Sequence, residues 1–233
     1  MIKAVLFDFD CTLYSRDLAY VGLLPAFKKH FEGRLTPGMS DEALLQALWR
    51  CDRVGSYTNG GGWPRILDRQ IEAGLWAAPP TAEEMLDFIH GHFADALTPY
   101  PDAAPLFCEL KDRGYKLGLI TNGPVDFQTK KIKKTGLYDF FAAVLISEAE
   151  KCSKPNPFIF AHALERLGCA AEEAVFVGDS PTADVCGARG AGLHAVWMRY
   201  YDLWPAPYAR PLYSIEKLCE LPAVLQEIER NCR

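Results

Sequence analysis

No stretch of this chain stays apolar over the roughly 20 residues that a bilayer-spanning helix needs. One lysine and then a short apolar run open the sequence, with nothing that reads as a leader, so the expectation is a cytoplasmic protein with no membrane partner. Paired cysteines are missing too. The eight cysteines (Cys11, Cys51, Cys108, Cys152, Cys169, Cys186, Cys219 and Cys232) stand singly, with no CxxC pair and no histidine at metal-ligand spacing. That argues against a disulfide frame or a zinc site and reads as reduced thiols packed as small hydrophobes. Charge of one sign is also scarce: a net charge of −5 with 24% charged residues gives no electrostatic case for a nucleic-acid partner. Repeats and low-complexity segments are absent. What is present is 233 residues, 49% of them hydrophobic, enough for one large domain or a core with a smaller lobe.

Five short apolar runs read as strands: Lys3–Asp8, Lys116–Thr121, Ala142–Ser147, Ala174–Asp179 and Leu193–Met198. They are continuous, not alternating, as parallel strands covered on both faces require. Helical segments fit between them, each stopped by a glycine suited to the C′ position: Ala104–Arg113 by Gly114, Pro124–Thr135 by Gly136, and Pro157–Leu167 by Gly168. Strand and helix alternate, which predicts an α/β fold with a doubly wound, Rossmann-like parallel sheet. "EKLCELPAVLQEIER" reads as a last amphipathic helix on that core.

Residues 17–97 break the rhythm. They carry helical stripes (Leu24, Phe27 and Phe31; Leu44, Leu45 and Leu48) and no convincing strand. Thr81-x-x-Glu84 reads as a capping box opening a helix with Met85, Ile89 and Phe93 on one face. A connection this long with helices of its own is an inserted lobe, and "TNGGGW" (58–63) reads as a flexible break within it. The predicted division is a core of residues 1–16 and 98–233 and an inserted helical domain of residues 17–97.

In an open parallel sheet, ligands sit beyond the carboxyl ends of the strands where the strand order reverses. The polar residues of interest all fall there. Asp8 ends the first strand with Asp10 just beyond, and Thr121-Asn122-Gly123 ends the second. Ser153-Lys154-Pro155 follows the third; Gly178-Asp179-Ser180 ends the fourth, with Asp184 on the next helix. Each motif alone has an ordinary structural reading. Asp10-Cys11-Thr12 reads as a turn, Lys154 as a solvated loop lysine, and Asp179 and Asp184 as acids favoured near a helix N-terminus. Their joint order is what selects a site.

The stretches "FDFDCTLY", "LITNG", "SKPNP" and "VGDSPTAD", in that order, resemble the haloacid-dehalogenase-like hydrolase superfamily, and the insert resembles the helical cap of its first subclass. The resemblance covers nearly the whole chain. One residue departs from it: the position after the second aspartate, usually glycine, is Cys11. The resemblance implies a phosphatase in which Asp8 attacks phosphorus to form an aspartyl-phosphate. Asp10 then protonates the leaving oxygen and deprotonates the attacking water. Thr121 and the amides of Asn122 and Gly123 hold phosphoryl oxygens, and Lys154 neutralises charge. It also implies a metal held by Asp8 and Asp179 through side chains, by the Asp10 carbonyl, and by Asp184 through water or from behind the ligands.

Electrostatics favours the same reading. Convergence of Asp8, Asp10, Asp179 and Asp184 with Lys154 as the single cation leaves the site strongly negative. At about 4 Å and an effective dielectric near 20, each like-charge pair costs on the order of 4 kcal/mol. A divalent cation relieves this, and hard oxygen ligands without histidine or cysteine favour Mg²⁺. The expected substrate is a small phosphorylated metabolite, a nucleotide or sugar phosphate, handled by a monomer or homodimer. Alternatives are a phosphomutase or dehalogenase of the same superfamily, or a receiver-like phospho-accepting signalling domain. Asp10 argues against the dehalogenase, and chain length with the insert argues against the receiver. Aromatic and cationic residues of the insert (His30, Trp49, Arg50, Arg53, Tyr57, Trp63, Arg65 and Arg69) are candidates to face substrate or to pack, and "KKIKK" (130–134) reads as a solvated helix face.

Overall fold

The computed structural model describes residues 1–57, 62–200, 204 and 208–232, with 50–57 and 62–65 described by backbone alone. A six-stranded parallel sheet is built from β1 (Ala4–Phe7), β2 (Lys116–Thr121), β3 (Ala143–Ile146), β4 (Ala174–Gly178), β5 (His194–Met198) and β6 (Tyr213–Ile215). The five predicted strands are present. β6, a three-residue edge strand beside β5, was not foreseen, because so short a segment carries no periodic signal.

The strand order is β3-β2-β1-β4-β5-β6. From the central β1 the chain winds out to β2 and β3, then crosses back to β4 on the other side. This reversal opens a crevice at the carboxyl ends of β1 and β4. The register sets Phe7 beside Leu119 on one side and Val177 on the other, which aligns the ends of β1, β2 and β4.

The chain divides into two compact units, one of Met1–Ser15 with Pro99–Arg233 and one of Arg16–Thr98. The second is all helical in its named elements: α1 (Arg16–His30), α2 (Asp41–Tyr57), α3 (Gly62–Glu72) and α4 (Ala82–His92), with a short 3₁₀ turn after α4. Its aromatic core joins Phe27 to Phe31, Trp76 and Phe88, with ring centroids at 5.0, 5.6 and 5.6 Å. The predicted stripes supply this core; Leu24, Leu44, Leu48, Met85, Ile89 and Phe93 are buried and Leu45 is half-buried. The capping box opens α4: Thr81 Oγ1 accepts from Glu84 N (3.1 Å), and Glu84 Oε2 accepts from Thr81 N (2.7 Å). The break expected at 58–63 falls largely outside the described residues.

In the sheet unit, α5 (Ala103–Asp112), α6 (Val125–Lys134), α7 (Ser147–Glu150), α8 (Pro157–Leu167), α9 (Gly187–Gly190) and α10 (Leu221–Asn231) complete the layers. Alternate residues of a strand face opposite ways, so both faces are packed. Leu6 joins Ile120, Leu145, Ile159, Phe160 and Phe176 on the α8 side. Phe7 meets Phe107 of α5 at 5.0 Å on the other. Gly136 (φ 72°) stops α6 in the left-handed conformation, as the sequence predicts. α10 begins at Leu221 with Pro222 in its first turn, five residues later than the sequence reading started the helix. Among the described residues no helix is long and apolar enough to cross a membrane.

Candidate active site

Asp8 follows β1 directly and is 6% exposed. Its Oδ1 lies 2.5 Å from Lys154 Nζ, and its Oδ2 accepts from Thr12 Oγ1 at 3.2 Å. Thr12 Oγ1 accepts in turn from the Asp179 amide at 3.1 Å, tying the loop after β1 to the end of β4. Burial pushes the Asp8 carboxyl up to about 7; Lys154 opposes the rise, and Asp184 and Asp10 add to it. For Lys154, burial pulls downward, but Asp184 and Asp8 at its ammonium outweigh it and hold the group above the usual lysine range.

Asp184 is 1% exposed and sits on a π-helical turn, Pro181–Cys186, capped by Ser180. π-turns recur at functional sites because they redirect a side chain. Here the turn brings Asp184 Oδ2 to the Ser180 amide (2.8 Å) and Oδ1 to Lys154 Nζ (2.7 Å). Only glycine fits opposite it: a Cβ on Gly178 would lie 2.5 Å from Asp184 Cβ, Cγ and Oδ2. Asp179 is fixed at its backbone, its carbonyl accepting from Trp197 Nε1 at 2.9 Å. Carboxylate oxygens of Asp8, Asp179 and Asp184 lie within 4.8 Å of one another. Three carboxylates, joined by no histidine or cysteine among the described residues, suit a hard divalent cation.

Thr121 ends β2, fully buried. The Asn122 side chain has a role that the sequence does not announce. It clamps the Lys154 backbone, Nδ2 donating to the carbonyl (3.0 Å) and Oδ1 accepting from the amide (2.9 Å). The Gly123 amide donates to Ser147 Oγ at 2.9 Å, so the turn is braced against the end of β3.

The largest departure from the sequence reading is at Asp10. Its Oδ1 accepts from Lys131 Nζ (2.5 Å) and from the Tyr14 hydroxyl, and its Oδ2 from Gln128 Nε2 (2.9 Å). Lys131 belongs to the "KKIKK" run expected to be solvated, yet its side chain is 4% exposed. The helical period explains this: Gln128 and Lys131, three apart on α6, share its inner face, while Lys130, Lys133 and Lys134 point outward. Lys154 is therefore not the single cation of the site. The spacing Gln128-x-x-Lys131 after Thr-Asn-Gly was the signal available for finding the second. Cys11, in the usual glycine position, adopts the left-handed conformation (φ 63°) with its side chain buried, a backbone cost of about 1–2 kcal/mol.

Of the candidates in the helical unit, His30 packs on Phe31 (4.6 Å) and Phe88 (4.9 Å), and Arg69 is half-buried. The Trp49 indole nitrogen is buried and has no hydrogen-bond partner among the described residues. The side chains of Arg50, Arg53, Tyr57, Trp63 and Arg65 lie outside the described set.

The four motifs thus surround one crevice. The sequence pattern of the haloacid dehalogenase-like hydrolases matches residues 2–192. A glyceraldehyde 3-phosphate phosphatase of Methanopyrus kandleri is 36% identical over 99% of this chain and 100% of its own. A phosphoserine phosphatase of Thermus thermophilus is 46% identical over 67% of this chain and 64% of its own. Among solved structures, the Bacillus subtilis HAD-hydrolase YfnB bound to magnesium is 27% identical, with TM-score 0.77 over 96% of this chain and 98% of its own. These similarities make the chain an enzyme and set the receiver-type switch aside. It belongs to the haloacid dehalogenase-like hydrolases.

Proposed function

We propose that the protein is a Mg²⁺-dependent phosphatase that hydrolyses a small phosphorylated metabolite through an aspartyl-phosphate on Asp8. The observation that carries this is the pair Asp8 and Asp10, each carboxylate answered by its own buried lysine, beside a group of oxygen ligands suited to a cation. An Asp8 oxygen attacks phosphorus and the ester P–O bond breaks. Asp10 gives the departing alkoxide a proton. The same carboxylate then takes a proton from water, whose oxygen attacks the aspartyl-phosphate and releases inorganic phosphate and free Asp8. Thr121 and the Asn122 amide are proposed to hold phosphoryl oxygens, with Lys154 neutralising charge next to Asp8. Gly123 contributes chiefly the shape of the turn. Mg²⁺, held by Asp8, Asp179, the Asp10 carbonyl and Asp184, would offset negative charge on the phosphoryl group and keep Asp8 ionised.

The proposed division of labour is catalysis by residues 1–16 and 98–233, with residues 17–97 as the cap. The proposed place of work is the cytoplasm, on the strength of cysteines scattered through the sequence with no CxxC pair. The full-length similarity to glyceraldehyde 3-phosphate phosphatases favours a three-carbon phosphate among the expected sugar phosphates. Phosphate release from glyceraldehyde 3-phosphate, phosphoserine, nucleoside monophosphates and hexose phosphates, with and without Mg²⁺, tests the reading. Strong metal-dependent turnover of one member supports it. Folded protein silent across the panel overturns it.

A further inference from the structure

We propose that Lys131, together with Gln128, positions Asp10 for proton transfer to the leaving group. The inference rests on the phosphatase reading above and extends it to two residues of α6.

A buried ammonium must be answered by a counter-charge or it costs several kcal/mol. Lys131 meets that requirement at Asp10 Oδ1, and its ammonium lies beside the rings of Phe127 (4.9 Å), Phe9 (5.5 Å) and Tyr14 (6.0 Å). A lysine placed only to decorate α6 would reach solvent, as Lys130, Lys133 and Lys134 do. One turn earlier, Gln128 is 1% exposed, and its Nε2 reaches Asp10 Oδ2, Thr121 Oγ1 and the Asn122 carbonyl. Gly123 makes room for it; a Cβ there would stand 3.0 Å from Gln128 Cγ.

Both oxygens of Asp10 are therefore engaged from α6. The same helix turn fixes that carboxylate relative to Thr121, the residue proposed to hold phosphate. Proton transfer requires the acid within hydrogen-bond reach of the leaving oxygen, so a fixed Asp10–Thr121 separation is what an acid acting on a bound ester needs. Lys131 contacts the Asp10 carboxylate itself. It acts through Asp10.

The test compares kcat/KM for p-nitrophenyl phosphate with that for the best alkyl phosphate of the panel, using Mg²⁺-loaded wild type, Lys131→Met, Lys131→Arg and Asp10→Asn. Nitrophenolate departs without a proton and an alkoxide does not. kcat/KM reports steps up to leaving-group departure, so hydrolysis of the phosphoenzyme drops out. The two substrates share each sample, so any loss of folded protein cancels in their ratio. We expect the alkyl-to-aryl ratio to fall about tenfold or more in Lys131→Met, towards the fall in Asp10→Asn, where loss of a general acid is worth about 10²–10⁴. Lys131→Arg, which keeps the cation, restores part of the ratio. Equal losses on both substrates in Lys131→Met would make Lys131 a purely structural tie and overturn the proposal. Wild type inactive on both esters overturns the phosphatase reading itself.

Discussion

Gly178→Ala is the smallest change that tests how Asp184 is held. The added Cβ would stand 2.5 Å from three atoms of Asp184, whereas carbon atoms rest about 3.5–4.0 Å apart, so something must move by about 1 Å. Gly178 is the last residue of β4, paired with β5 and locked in the sheet, so the shift falls on Asp184. Moving Asp184 loosens its bonds to the Ser180 amide and Lys154 together. Overpacking of this kind costs about 1–3 kcal/mol, and the upper end applies because the obstacle is a pinned carboxylate and not a flexible chain end. At about 2–4 °C per kcal/mol for a chain of this size, Tm should fall by about 6–12 °C. Displacement of a site group by about 1 Å should also cost roughly 10²-fold in turnover. Gly118→Ala serves as the control. There the nearest atoms are side-chain carbons of Leu167 and Leu6 at 3.0 and 3.1 Å, so stability should fall while the apparent Mg²⁺ affinity stays put. Differential scanning calorimetry and Mg²⁺ titration of both variants decide the matter. A Gly178→Ala protein with wild-type Tm and wild-type metal affinity would refute the reasoning.

Three further outcomes are expected. Asp8→Asn should abolish phosphate release and leave no trappable acyl-phosphate while circular dichroism stays native; retained turnover would remove Asp8 as nucleophile. Saturating the metal-free protein with Mg²⁺ should raise Tm, since binding at about 100 times Kd is worth about 2.7 kcal/mol; no rise in thermal scans would count against the Asp8, Asp179 and Asp184 group as a cation site. Thr81→Ala breaks the capping box of α4 and should cost about 1 kcal/mol in urea unfolding; an unchanged midpoint would mean the end of α4 contributes nothing to stability.

Much of this protein was legible in its sequence, because local rules produced the signals. Continuous apolar runs marked β1 to β5, Gly136 marked the end of α6, and Thr81 with Glu84 marked the start of α4. The placement of Asp8, Asp10, Thr121, Asn122, Gly123, Lys154, Asp179 and Asp184 at one sheet edge followed from the strands together with the switch-point rule.

Contacts that join residues far apart in sequence were decided only in three dimensions. Lys131 looked solvated because three of the other four residues in its run, Lys130, Lys133 and Lys134, are lysines. It is buried because packing of α6 turns its inner face towards Asp10, a residue 121 positions away. Asn122 was read from its backbone, yet its side chain holds Lys154, 32 positions on. The sequence by itself determined the elements and the order of the acidic motifs, since helix period, strand burial and turn chemistry act within a few residues. Tertiary structure alone decided which oxygen faces which cation, since that depends on the winding of the sheet and the packing of helices against it.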